Sequence, residues 1–79
     1  MNRIAAQFDS YEDKVVPRGA SQTQVREVKR AFYAGAQAMM TICKAVGSDH
    51  VGEAEGEQML EAADQELRRF CEQVLAGKA

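Results

Sequence analysis

Apolar side chains recur along this chain at helical intervals in three separate stretches. In the first, Ile4, Phe8, Tyr11 and Val15 are spaced four, three and four residues apart. That period places one apolar stripe on a short helix over about residues 3–15. Pro17 stops it, because a proline steers the residue before it away from helical angles. In the second stretch, Val25, Val28, Phe32, Gly35, Met39, Ile42 and Val46 alternate steps of three and four. Ser21 can cap this helix, Gln24 completes a capping-box pattern, and Gly47 supplies a stop. The expected helix covers about residues 22–46 and is about 37 Å long at 1.5 Å per residue. The third stretch, Gly56, Leu60, Ala63, Leu67, Phe70 and Val74, is widened by Met59, Cys71 and Leu75 and closed by Gly77. It predicts a helix over about residues 53–76, weakened at its start by Gly52 and Gly56. A few residues join the second helix to the third, which implies an antiparallel pair. The expected fold is all-α: a helical hairpin with a short N-terminal helix, with residues 1–79 as one helical domain.

The second helix changes this picture. Beside its main stripe runs another, Tyr33, Ala36, Met40 and Cys43, and Ala31, Ala34 and Ala38 add a strip of small residues. A surface helix of a simple hairpin shows one apolar face and one polar face. Here only Gln37, Thr41 and Lys44 mark a polar edge, so at least two neighbours must pack on the helix. The N-terminal helix can be one and a second copy of the chain the other. Size argues the same way, since 79 residues bury only about 60% of their unfolded surface. With three Phe, two Tyr and no Trp, the core must come mostly from small and aliphatic side chains. A homo-oligomeric bundle is therefore expected.

Charge is divided unevenly. Over residues 1–47, Arg3, Lys14, Arg18, Arg26, Lys29, Arg30 and Lys44 outnumber Asp9, Glu12, Asp13 and Glu27, for a net +3. Over residues 48–77, eight carboxylates face only Arg68 and Arg69, for a net −6. Halves of opposite sign suit packing against each other or against another copy. The total of −2 is too small for a nucleic-acid coat, so no polymer partner is expected. No apolar run approaches 18 residues and no signal-like segment opens the chain, so a cytoplasmic protein without a membrane partner is expected. Cys43 and Cys71 sit on apolar stripes about 20 Å apart along the hairpin; buried, reduced thiols are expected rather than a disulfide. His50 is alone in a loop with Asp49 and Glu53 nearby, a weak metal signal, so a solvated histidine and no metal are expected; no cofactor is expected either. There is no metalloprotease helix motif, no Gly-rich phosphate loop and no nucleophile–base pair, so the chain is expected not to be an enzyme.

One cluster resists a purely structural account. Arg26, Lys29, Arg30 and Tyr33 fall at i, i+3, i+4 and i+7, on one face near the start of the second helix. Cations there oppose the helix dipole, so local helix stability does not explain them. Tyr11 and Arg18 lie close in sequence. Guanidinium forks grip phosphate and aromatic rings stack on bases, so this set suits a phosphorylated, base-containing ligand. Equally, the face can dock on the acidic third helix of a neighbouring chain. Both hold if a pocket forms where two copies meet.

The pattern Phe8-x-x-Tyr11-x-x-x-Val15-x-Pro17, then Gln24-x-x-Glu27-x-x-Arg30-Ala31-Phe32-Tyr33-Ala34-Gly35-Ala36, then Glu66-Leu67-x-x-Phe70 resembles a group of small helical phage and prophage proteins. The likeness covers most of the chain and carries no assigned functional residues. In size, hairpin design and its Tyr/Arg/Lys set, the chain is also similar to phage anti-defence sponge proteins. That resemblance implies immune evasion by sequestering a cyclic nucleotide or ADP-ribose-type signal between subunits in the host cytoplasm. Tyr11, Arg18, Arg26, Lys29, Arg30 and Tyr33 are the expected ligand-binding residues. The alternative expectation is an inhibitor or adaptor whose acidic third helix binds a host defence protein.

Overall fold

The computed structural model describes residues 3–79, and among these the protein is all-helical. Three helices follow one another: α1 Arg3–Val15, α2 Gln22–Val46 and α3 Glu53–Leu75. Each lies where an apolar stripe repeats with the period of a helix. The contacts of the described residues gather into two compact units, residues 3–39 and residues 40–79.

In the first unit, α1 ends as Pro17 demands. The last helical bond runs from the Val16 amide to the Glu12 carbonyl at 3.1 Å, and the Ala20 amide then reaches the Pro17 carbonyl at 3.0 Å. That bond closes a turn with Arg18 and Gly19 at its centre. Ser21 starts α2 as its sequence position suggests: its hydroxyl oxygen accepts a hydrogen bond from the Gln24 amide at 3.1 Å, satisfying one of the unpaired donors of the first turn. The unit is organised around Phe8, which is only 3% exposed. Its ring meets Phe32 edge-on, with centroids 5.3 Å apart and planes at 65°, and Tyr33 at 6.4 Å. Tyr11 adds a tilted contact to Phe32 at 5.5 Å. Four of the chain's five aromatic rings thus form one cluster between α1 and the first half of α2. Offset and edge-on geometries suit the ring quadrupoles and strengthen what area burial alone supplies.

The second unit is built on a close approach instead of a ring cluster. Past Val46, the Gly47 amide bonds the Cys43 carbonyl at 3.1 Å and the Val51 amide bonds the Ser48 carbonyl at 3.2 Å. The Ser48 hydroxyl donates to the Ala45 carbonyl at 2.8 Å. Gly52 then caps α3 in an extended conformation, and Glu53 and Glu55 complement the dipole of the first turn. Gly56 is buried against Val46: a Cβ there would stand 3.0 Å from Val46 Cγ1, close enough that the valine would have to shift by a few tenths of an ångström. At the other end, Gly77 takes φ +74°. The Lys78 amide reaches the Gln73 carbonyl at 2.8 Å and the Gly77 amide reaches the Val74 carbonyl at 3.0 Å. This is the paired C-terminal closure that a left-handed glycine permits.

Much of the apolar stripe of α3 remains uncovered. Leu67 is 61% exposed, Phe70 57% and Leu75 83%. Cys43 and Cys71 are free and exposed, which corrects the expectation of buried thiols. Both sit on stripes that the described residues do not cover fully. Among the described residues, no helix is long and apolar enough to cross a membrane.

Candidate functional site

Four of the six expected ligand-binding residues, those on one helical face, come together. Arg26, Lys29, Arg30 and Tyr33 line one solvent-open hollow of about 290 Å³ on α2. Helical geometry accounts for this, since side chains three, four and seven positions apart share a face. The surface inside the hollow is carbon, so the stems of three cations and a tyrosine make an apolar floor with a positive rim. Long basic side chains commonly divide themselves in this way, with the stem against apolar surface and the charged head in water.

Two of the cations are already engaged. The Lys29 ammonium lies over the Phe8 ring, 5.8 Å from its centroid, so α1 helps to hold it. Arg30 pairs with Glu27 one turn earlier, Nη1 to Oε1 at 3.3 Å, with both side chains well exposed. An exposed pair of this kind contributes only a few tenths of a kcal/mol, so a phosphate can displace the carboxylate. Tyr33 is tied to the aromatic cluster through Phe32, at 6.3 Å and 67°, and through Phe8.

The remaining two candidates stand apart from the hollow. Tyr11 spends its ring on Phe32 and reaches the site only through that cluster. Arg18 is exposed at the centre of the turn between Pro17 and Ala20 and does not line the hollow. Two residues that spacing did not mark as functional support it: Phe8, beneath Lys29 and beside Tyr33, and Phe32, which joins Tyr11 to Tyr33. The signal was available. In a chain with only five aromatic residues, Phe8 and Tyr11 on one helix and Phe32 and Tyr33 on the next mark a shared contact.

A second surface carries the opposite charge. On α3, Ala54, Glu57, Gln58, Glu61, Ala62 and Gln65 surround a shallow depression of about 530 Å³. The alanines leave the space and the glutamates border it. Glu61 accepts a bond from Gln65 Nε2 at 3.3 Å. His50 is exposed in the turn before α3. Among the described residues, no group of three or more His, Cys, Asp or Glu side chains could hold a metal ion.

Compared with protein families, with curated proteins and with solved structures, the chain matches none.

Proposed function

We propose that this chain is a non-enzymatic, phage-type anti-defence protein that forms a homo-oligomer and sequesters a small anionic nucleotide signal where subunits meet. The observation that carries the reading is the hollow lined by Arg26, Lys29, Arg30 and Tyr33. A nucleotide needs both halves of such a surface: a carbon floor for the base and cationic heads for the phosphate. In this reading Arg26, Lys29 and Arg30 bind phosphate, Tyr33 stacks or donates a hydrogen bond, and Tyr11 supports it from α1. Arg18, expected from the sequence to close the pocket, stands apart from the hollow and is given no contact in this reading. Assembly draws support from the exposed stripe at Leu67, Phe70 and Leu75, which favours further coverage. The assembling unit is a hairpin of α2 and α3, acting in the host cytoplasm.

Isothermal titration of the full chain against cyclic oligonucleotides and cyclic ADP-ribose isomers tests the reading. One class of ligand should bind, and Arg26→Ala with Arg30→Ala should weaken it at least about tenfold, as expected when charge-assisted contacts to phosphate are removed. Silence across the panel from a folded oligomer overturns it. The acidic depression bordered by Glu57 and Glu61 favours a second reading, an inhibitor or adaptor that binds a host defence protein through α3. Co-purification of one host protein, lost when Glu57, Glu61 and Asp64 become Lys, would identify that activity.

A further inference from the structure

The hollow on α2 has a floor and a rim but no opposite wall, because residues of one helix make all of its described lining. What completes it must present an apolar group to the carbon floor and negative charge to the rim. This chain carries such a surface itself. Between Lys44 and Arg68 there is no Lys or Arg, while Asp49, Glu53, Glu55, Glu57, Glu61, Asp64 and Glu66 fall in that interval. Asp64 has its own partner, Arg68, with Oδ2 2.9 Å from Nε. Glu57 and Glu61 face no such cation one turn away. Leu60, 40% exposed, flanks them on the adjoining strip of the helix, outside the lining of the acidic depression.

We infer that the hollow is closed by α3 of a second copy of this chain, with Leu60 against the carbon floor and Glu57 and Glu61 reaching Arg26 and Arg30. The spacings match. Arg26 and Arg30 are four residues apart, as are Glu57 and Glu61, so each pair repeats about every 6 Å along its helix. Lys29 and Tyr33 sit on the same face, and the depression beside Ala54 and Ala62 gives their ends room. Each copy carries one basic face and one acidic face, so contacts of this kind link copies as a reciprocal pair, a ring or an open filament. The arrangement deepens the nucleotide reading, which needs a second wall. Its carboxylates can accept hydrogen bonds from sugar hydroxyls or base amino groups. The interface itself requires no nucleotide.

The test is charge reversal with rescue, read by sedimentation velocity on the full chain without nucleotide. Arg26→Glu with Arg30→Glu, and separately Glu57→Lys with Glu61→Lys, should each weaken self-association at least about tenfold through like-charge opposition. Mixing the two variants should restore a complex containing both. Helix content by circular dichroism accompanies each variant, and wild-type association should weaken between about 50 mM and about 500 mM salt. Should a reversed variant fail to fold, Leu60→Gln and the salt series on wild type decide the matter. A wild-type monomer at about 100 µM, association indifferent to both reversals and to salt, or no complex on mixing overturns the inference. Nucleotide titration on the same samples separates the two proposals. Rescue without nucleotide binding keeps the interface and removes capture, and binding by a monomer removes the interface and leaves the rim of a single chain as the nucleotide site.

Discussion

Residues 3–39 and residues 40–79 solve the same problem, fixing one helix against another in a chain too short for a large core, by opposite means. The first uses bulk: Phe8 is buried among Phe32, Tyr33 and the Lys29 ammonium. The second uses the absence of bulk, with Gly56 letting α3 approach Val46. A peg concentrates stability in one side chain. A close approach concentrates it in one missing side chain, and leaves the rest of α3 with its stripe open to solvent. The difference teaches that the first unit is weakened by removing bulk and the second by adding it.

The largest expected effect breaks the peg. Phe8→Ala should destabilise the chain by about 3–5 kcal/mol, the usual range for a buried aromatic, with loss of hydrogen-exchange protection along α1. Protection in α1 that survives this change would show that the ring cluster is not its anchor. Next comes one substitution made twice. Gly56→Ala should destabilise by about 1 kcal/mol, because overpacking against Val46 outweighs the gain in helix propensity. Gly35→Ala, where a Cβ meets nothing within 4 Å, should stabilise by about 0.5–1 kcal/mol. Chemical denaturation of both variants checks the signs, and equal signs would erase the contrast. Ser21→Ala should remove about 1 kcal/mol through the lost cap of α2, seen as a lower melting temperature. The smallest effect belongs to Arg68→Ala on α3, about 0.3–0.5 kcal/mol for an exposed pair four residues apart. A larger loss by denaturation would mean that Arg68 does more than pair with Asp64.

The all-helical class was legible in the sequence because its signals are local. Pro17, Ser21 and Gly77 act on their own neighbourhoods, and the cap at Gln24 and the closure at Gly77 follow from residue type alone. The basic face was legible for the same reason, since helical spacing by itself brings Arg26, Lys29, Arg30 and Tyr33 together. What depends on side chains distant in sequence was harder to see. Membership of a stripe did not show which member would be buried, and Phe8 was chosen over Ile4 and Val15 by its contacts with Phe32 and Tyr33. The same limit misled the reading of Cys43 and Cys71: a stripe position promises burial only where a neighbour covers it. Gly56 looked like a weak start to a helix, whereas its proximity to Val46 makes it a packing residue.

Lys29 belongs to two arrangements at once, the rim of the hollow and the clasp over Phe8. An ammonium above a ring at an exposed site is worth about 0.5–1 kcal/mol. An anion that draws it away therefore loosens the grip on α1 by that amount, and a firmly seated α1 taxes the anion equally. Occupancy of the rim and fraying of the N-terminal segment are thermodynamically linked, so the one can be monitored through the other.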